Sequence, residues 1–168
     1  MNRAPVLTLW AVVVARRKGY GEDTALSLGR GLAGLNAQSK GRRLGIYEEP
    51  KAGHEGVKRK QTTAAISTVR LLGRNVPVLK LAGGLRAAVS GEAVRPESVR
   101  TYLEKKFGAD LTEARRVMET LAKSLTPAQL EGRGFSLYEK FRPQIPEGKK
   151  GWGARGELDL DLIRRLVK

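Results

Sequence analysis

Three clusters of basic side chains stand out by their company. The first is Lys40, Arg42 and Arg43, preceded by Asn36, Gln38 and Ser39; the second is Lys58, Arg59 and Lys60; the third, Lys149, Lys150 and Arg155, surrounds Trp152. All three lie in Gly-containing stretches with little acid nearby. Long cations on such segments can follow a phosphate backbone, and neutral polar side chains can hydrogen-bond phosphate oxygens or base edges. An accessible indole such as Trp152 can stack on an unpaired base, which favours single strands or RNA. Each cluster taken alone also reads as a solvated charge run, and Trp152 as an anchor of its loop in the core. The case for a polyanionic partner rests on the combination, since no RNP1, KH or zinc-finger signature accompanies it.

The global charge points the same way. Lys and Arg number 32 against 17 Asp and Glu, a formal net charge of +15, and the excess is greatest in residues 1–60. Such an imbalance repels itself, and an anionic partner relieves the repulsion. A basic surface that serves only solubility is the plainer explanation of the same figure.

Other chemistry is poorly supported. With no cysteine and one histidine, disulfides, thiolate metal sites and any site needing two histidines are excluded. His54, among Glu48, Glu49 and Glu55, reads as a loop histidine rather than a ligand. No serine sits in a GxSxG context, so a nucleophile elbow is not expected. Glu157, Asp159 and Asp161 could suggest a Mg²⁺ cluster, yet acids suit the start of a helix without any metal. Gly29-Arg30-Gly31-Leu32-Ala33-Gly34 formally matches GxGxxG. The dinucleotide motif needs a strand directly before it and a βαβ unit around it. Here the glycines fall inside a leucine stripe, which assigns them to close helix packing. A P-loop sequence is absent. No cofactor and no metal are therefore expected, and a non-enzyme is the preferred reading; a catalyst built on Glu, Lys or Tyr would leave no spacing signature.

The elements that must position these groups follow from periodicity. Pro5 opens an apolar stretch running to Ala15 and closed by Arg16, Arg17 and Lys18. It predicts a helix over 5–18 with Gly19 as its C′ residue, although Val12–Val14 would also suit a strand. The basic flank follows the apolar part, the reverse of a signal peptide, and no window is long enough to span a bilayer. A soluble, cytoplasmic chain without a membrane partner is expected. Glu22 and Asp23 start a second helix with Ala25, Leu28, Leu32 and Leu35 on one stripe. The pair reads as an αα-hairpin or helix-turn-helix. Residues 41–63 are polar and read as a surface loop.

Residues 66–94 alternate short apolar runs with turn signals at Gly73-Arg74-Asn75, Gly83-Gly84 and Ser90-Gly91, which predicts three strands in a meander. Pro77 should place its strand at an edge or itself at a strand start. Helices are predicted from Pro96 to Lys106, from Asp110 to Ser124, from a Thr126/Gln129 capping box to just before Pro143, and from Leu158 to Val167. The expected fold is α+β: an N-terminal helical hairpin (1–45), a basic loop or linker (46–64), and a small antiparallel β-meander with a C-terminal helical bundle (65–168). The expected activity is non-enzymatic DNA or RNA binding through phosphate contacts. The alternatives are an assembly module using the glycine-bearing helix face, with a second copy as partner, and a small enzyme without a recognisable motif.

Overall fold

The computed structural model describes residues 3–43, 66–89, 91–143 and 158–167; for 37–43 it gives the helical backbone. The chain forms an N-terminal helical hairpin, an antiparallel sheet and a C-terminal helical bundle. Helices α1 (Arg3–Arg17) and α2 (Glu22–Arg43) precede strands β1 (Ile66–Leu71), β2 (Arg74–Leu81), β3 (Gly84–Val89) and β4 (Glu92–Ala93). Helices α3 (Pro96–Phe107), α4 (Leu111–Lys123), α5 (Pro127–Phe141) and α6 (Leu160–Leu166) follow, with a short 3₁₀ turn at Gly108–Asp110.

Helix α1 is the centre. Every residue from Pro5 to Ala15 is buried, so the apolar run forms a helix hydrophobic on all sides. It packs against α2, α3, α4, α5 and β1, and one core cluster runs through all of these elements. Its polar atoms are met internally. Thr8 Oγ1 donates to the Ala4 carbonyl at 2.8 Å, and Trp10 Nε1 donates to the Gly134 carbonyl at 2.9 Å. The Trp10 ring stands edge-on to Phe141, with centroids 5.4 Å apart. The helix ends in a Schellman turn: Gly19, at φ +107°, donates to Arg16 O, and Tyr20 N donates to Ala15 O.

Helix α2 is fixed by two of its glycines and one serine. A Cβ on Gly29 would lie 2.6 Å from Val12 Cγ2 and 2.7 Å from the Thr8 carbonyl oxygen of α1. One on Gly31 would lie 2.8 Å from Ala87 Cβ and 3.0 Å from Val76 Cγ1 of the sheet. Gly34 has only the Arg30 guanidinium at 3.5 Å. The first two glycines of the GxGxxG match are thus contact points for a helix and a sheet. Just before them, buried Ser27 donates to Thr24 O and accepts from the Ala87 backbone N–H at 2.9 Å, which ties α2 to β3.

The sheet order is β1-β2-β3-β4, all antiparallel. A fourth strand, the two-residue β4, joins the three expected, and two further details depart from expectation. The first turn falls on Leu72-Gly73 rather than Gly73-Arg74-Asn75, with φ of 51° and 77° and Leu71 paired to Arg74. A leucine in the left-handed region is strained by roughly 1–3 kcal/mol. Its side chain is only 2% exposed, and the close approach of Leu72 Cδ2 leaves no room for a Cβ at Gly134 of α5. Burial of the leucine side chain, about 1.5–3 kcal/mol, offsets the strain. The tip of the hairpin is therefore a plug in the bundle, and Glu131 of α5 accepts from Gly73 N at 3.0 Å. Second, Pro77 lies in β2, which has neighbours on both sides, rather than in an edge strand or at a strand start. It pairs with Thr68 of β1, but the β2–β3 ladder begins only at Val78, so on that side the missing N–H interrupts no ladder.

The bundle follows its capping signals. Gln129 N donates to Thr126 Oγ1 and Thr126 N to Gln129 Oε1, the reciprocal box. Asp159 caps α6 by accepting from Asp161 N and Leu162 N. Burial pushes the Tyr138 phenol up to about 12, so it is a neutral donor, facing Arg3 O at 3.4 Å.

The two glycine environments give opposite expectations. Gly34→Ala should raise stability by about 0.5–1 kcal/mol through helix propensity alone. Gly29→Ala should lower it by about 1–3 kcal/mol, because Thr8 O is backbone and cannot yield unless α1 shifts. Urea-unfolding midpoints of the two variants check both signs.

Candidate nucleic-acid interface

Of the side chains selected from sequence, the structure places Asn36, partly buried, in the second half of α2. Gln38, Lys40, Arg42 and Arg43 fall in the last two turns of that helix. Lys58, Arg59, Lys60, Lys149, Lys150, Trp152 and Arg155 lie outside the described residues, as does His54.

The described part shows how the charge is arranged. Four of its carboxylates, Glu22, Asp23, Glu113 and Glu131, work as ties between elements. Glu22, at the start of α2, accepts two bonds from Arg115 of α4, at 2.9 and 2.7 Å, and sits 3.6 Å from Arg16. The Arg115 hydrogen bonds hold the Glu22 carboxyl below its usual range against the opposing effect of burial, with the charges of Arg115, Arg16 and Arg100 assisting. Asp23 faces Arg86 and Arg100. Glu131 joins Lys18, just after α1, and Arg70 of β1 to the hairpin tip. Glu113 of α4 pairs with Arg116 and with Arg164 of α6. Asp161 pairs with Arg164 and Asp159 with Arg165, so these acids serve α6 itself.

With these acids committed, several cations are left over. Among the described residues, Arg17, Arg30, Lys105, Lys106 and Lys123 have no carboxylate within 4.0 Å. Two groupings emerge. Arg30 of α2 and Lys106 of α3 flank Tyr102, with Lys106 Nζ 6.0 Å from the ring centroid. The other is concave. Where α1 and α4 end side by side, Val13, Arg16, Arg17, Glu119, Ala122 and Lys123 line a cleft of about 390 Å³.

That cleft has three cations and one carboxylate, and Glu119 is already paired with Arg115 Nε at 3.3 Å. Arg17 donates through Nη2 to the Leu125 carbonyl at 3.1 Å, while its Nε is buried without an acceptor among the described residues. Arg16 donates to Tyr20 O at 3.1 Å. Both arginines are thus oriented by backbone carbonyls; Arg17 has no carboxylate partner among the described residues, while Arg16 shares Glu22 with Arg115. Two helix C-termini nearby disfavour an anion by roughly 0.3–1 kcal/mol each. One cation at about 4 Å contributes up to about 4 kcal/mol at an effective dielectric of 20. The cations prevail.

No family model, curated protein or solved structure matches the chain. The reading of its surface therefore rests on geometry and charge. Among the described residues there is no group of three metal-ligating side chains, and no helix is long and apolar enough to cross a membrane.

The cleft was not legible as a site in the sequence. Arg16 and Arg17 are visible there as the basic end of an apolar helix, and they do occupy that position. Lys123 is far along the chain, in the last turn of α4. Only the packing of α4 against α1 brings the three together. The periodicity of α4, with Ala114, Val117, Met118 and Leu121 buried, shows the face it packs with but not its partner.

The Glu22–Arg115 tie should make stability acid-sensitive. The folded-state pKa of Glu22 is lowered, so its contribution is full above the unfolded value of 4.5 and lost as pH falls through the folded value. Glu22→Gln should cost about 1 kcal/mol at neutral pH, the scale of a partly exposed pair. The gap from the parent should close as pH falls below the unfolded value of 4.5 and through the lower folded one. Denaturant titrations at neutral and acidic pH measure it; a gap independent of pH would contradict the assignment.

Proposed function

We propose that the chain binds nucleic acid, without catalysis and mainly through phosphate contacts. The observation that carries this reading is the disposition of charge. A net charge of +15 is combined with four carboxylates, Glu22, Asp23, Glu113 and Glu131, that are held in ties between elements, while Arg17, Arg30, Lys105, Lys106 and Lys123 have no ion pair among the described residues. A surface of that kind gains most from a polymer of regularly spaced anions, which releases counterions as it binds.

The basic end of α2 supports the same reading. A helix of 22 residues spans about 33 Å, and its antiparallel partner α1 places the Arg16–Arg17 end beside Glu22. Lys40, Arg42 and Arg43 therefore stand roughly 30 Å from the cleft, at the opposite end of the hairpin. Cations at two separated poles suit an extended ligand better than a compact one. The assembly alternative named the glycine-bearing face of α2, but Gly29 and Gly31 spend that face on α1 and the sheet, within the chain.

Anisotropy titrations with a labelled duplex and a labelled single strand test the proposal. Binding at micromolar concentration or tighter is expected at roughly 50 mM salt, weakening towards 200 mM with a log–log slope of several units. Absence of binding to either probe at the lower salt concentration would overturn it. A preference for the single strand would bring in Trp152 as a stacking group.

A further inference from the structure

We infer that the cleft between the C-terminal ends of α1 and α4 is a phosphate-binding site, with Arg16, Arg17 and Lys123 as the donors. In taking the phosphate to be a nucleic-acid backbone phosphodiester, the inference rests on the function proposed above; as a site for the phosphate group itself, it stands alone.

The first support is shape. A cleft of about 390 Å³ falls in the lower part of the range for ligand pockets and admits a phosphate with the atoms attached to it. Buried Val13 and Ala122 belong to two packed helices, so its floor is rigid. The second is charge. Glu119 answers Arg115, and Arg16 shares Glu22 with Arg115, whereas Arg17 and Lys123 have no ion pair among the described residues. The third is orientation. Leu125 O holds the Arg17 guanidinium and Tyr20 O holds that of Arg16, leaving the remaining N–H groups for a ligand with several acceptor oxygens. A tetrahedral oxyanion matches two guanidinium groups and an ammonium better than a planar carboxylate does, because it offers oxygens in three directions.

Arg17 and Lys123 contribute differently. Arg17 is partly buried and tied to the turn after α4, so it sets the position of the site. Lys123 is exposed in the last turn of α4 and adds charge at the rim. Its replacement leaves the fold intact, which makes Lys123→Gln the informative variant. Lys140 serves as the control. It lies near the end of α5, where Tyr138 meets Arg3, about 20 Å away along α1.

The experiment follows the arginine Nε–H resonances of the ¹⁵N-labelled full chain during titration with inorganic phosphate and, separately, with a duplex oligonucleotide. Saturable shifts at Arg16 and Arg17 with both probes are expected. Lys123→Gln should weaken phosphate binding severalfold and lower the duplex salt slope by about 0.9, the value of one phosphate contact. Lys140→Gln should leave the phosphate titration unchanged. If phosphate shifts these resonances but no oligonucleotide binds, the phosphate site stands and its ligand is a free phosphorylated molecule, while the nucleic-acid reading fails. If the oligonucleotide binds and both arginines stay silent, the nucleic-acid reading stands and the cleft is overturned. Silence of both arginines towards both probes also overturns it.

Discussion

Burial of α1 on every side is the constraint from which the rest of the structure follows. Eleven consecutive buried positions, Pro5 to Ala15, leave no face for solvent. Each neighbouring element must therefore offer an apolar surface, and each polar atom on the helix must find a partner inside. Thr8 turns back to its own helix, and Trp10 reaches the Gly134 carbonyl of α5. Close packing around such a helix also requires gaps where a side chain would collide. Gly29 of α2 supplies one against α1, and Gly134 of α5 supplies one where the Leu72 hairpin tip enters. A helix so enclosed can meet the surface only at its ends, which is where Arg16 and Arg17 lie.

Charge is organised around that core with a division of labour. Glu22, Asp23, Glu113 and Glu131 sit where two or three elements converge, and each holds cations from a different element. Individually such partly exposed pairs are worth little. Their placement matters more: acids used as ties at element junctions cannot also neutralise the outward-facing cations. A strongly basic chain tolerates this arrangement when its self-repulsion is relieved by an anionic ligand.

The sheet joins the bundle through a strained point rather than through a broad face. Leu72 adopts a backbone conformation that glycine or asparagine would occupy more easily. What holds it there is the packing of its side chain against α5 together with the Glu131 acceptor at Gly73 N. Local preference yields to burial, because a buried leucine is worth at least as much as the strain it endures.

The amino-acid pattern by itself determined the helices, with their ends placed to within a few residues. The capping box at Thr126 and Gln129, the C′ glycine at Gly19 and the all-apolar run of α1 are local devices, each read from neighbouring residues. It also assigned the α2 glycines to packing, because they interrupt a leucine stripe; this holds for Gly29 and Gly31 but not for Gly34, which no neighbouring element approaches within 4 Å. What it could not show depends on contacts between distant segments. The hairpin turn at Leu72 was decided by α5, some sixty positions further on. The position of Pro77 in an inner strand was decided by where the β2–β3 ladder starts. The cleft joining Arg16, Arg17 and Lys123 exists only because α4 lies along α1. The physical reason is common to all three. Hydrogen bonds within a turn or cap are fixed by neighbours in sequence, whereas burial, and the charges that burial brings together, are properties of the packed chain.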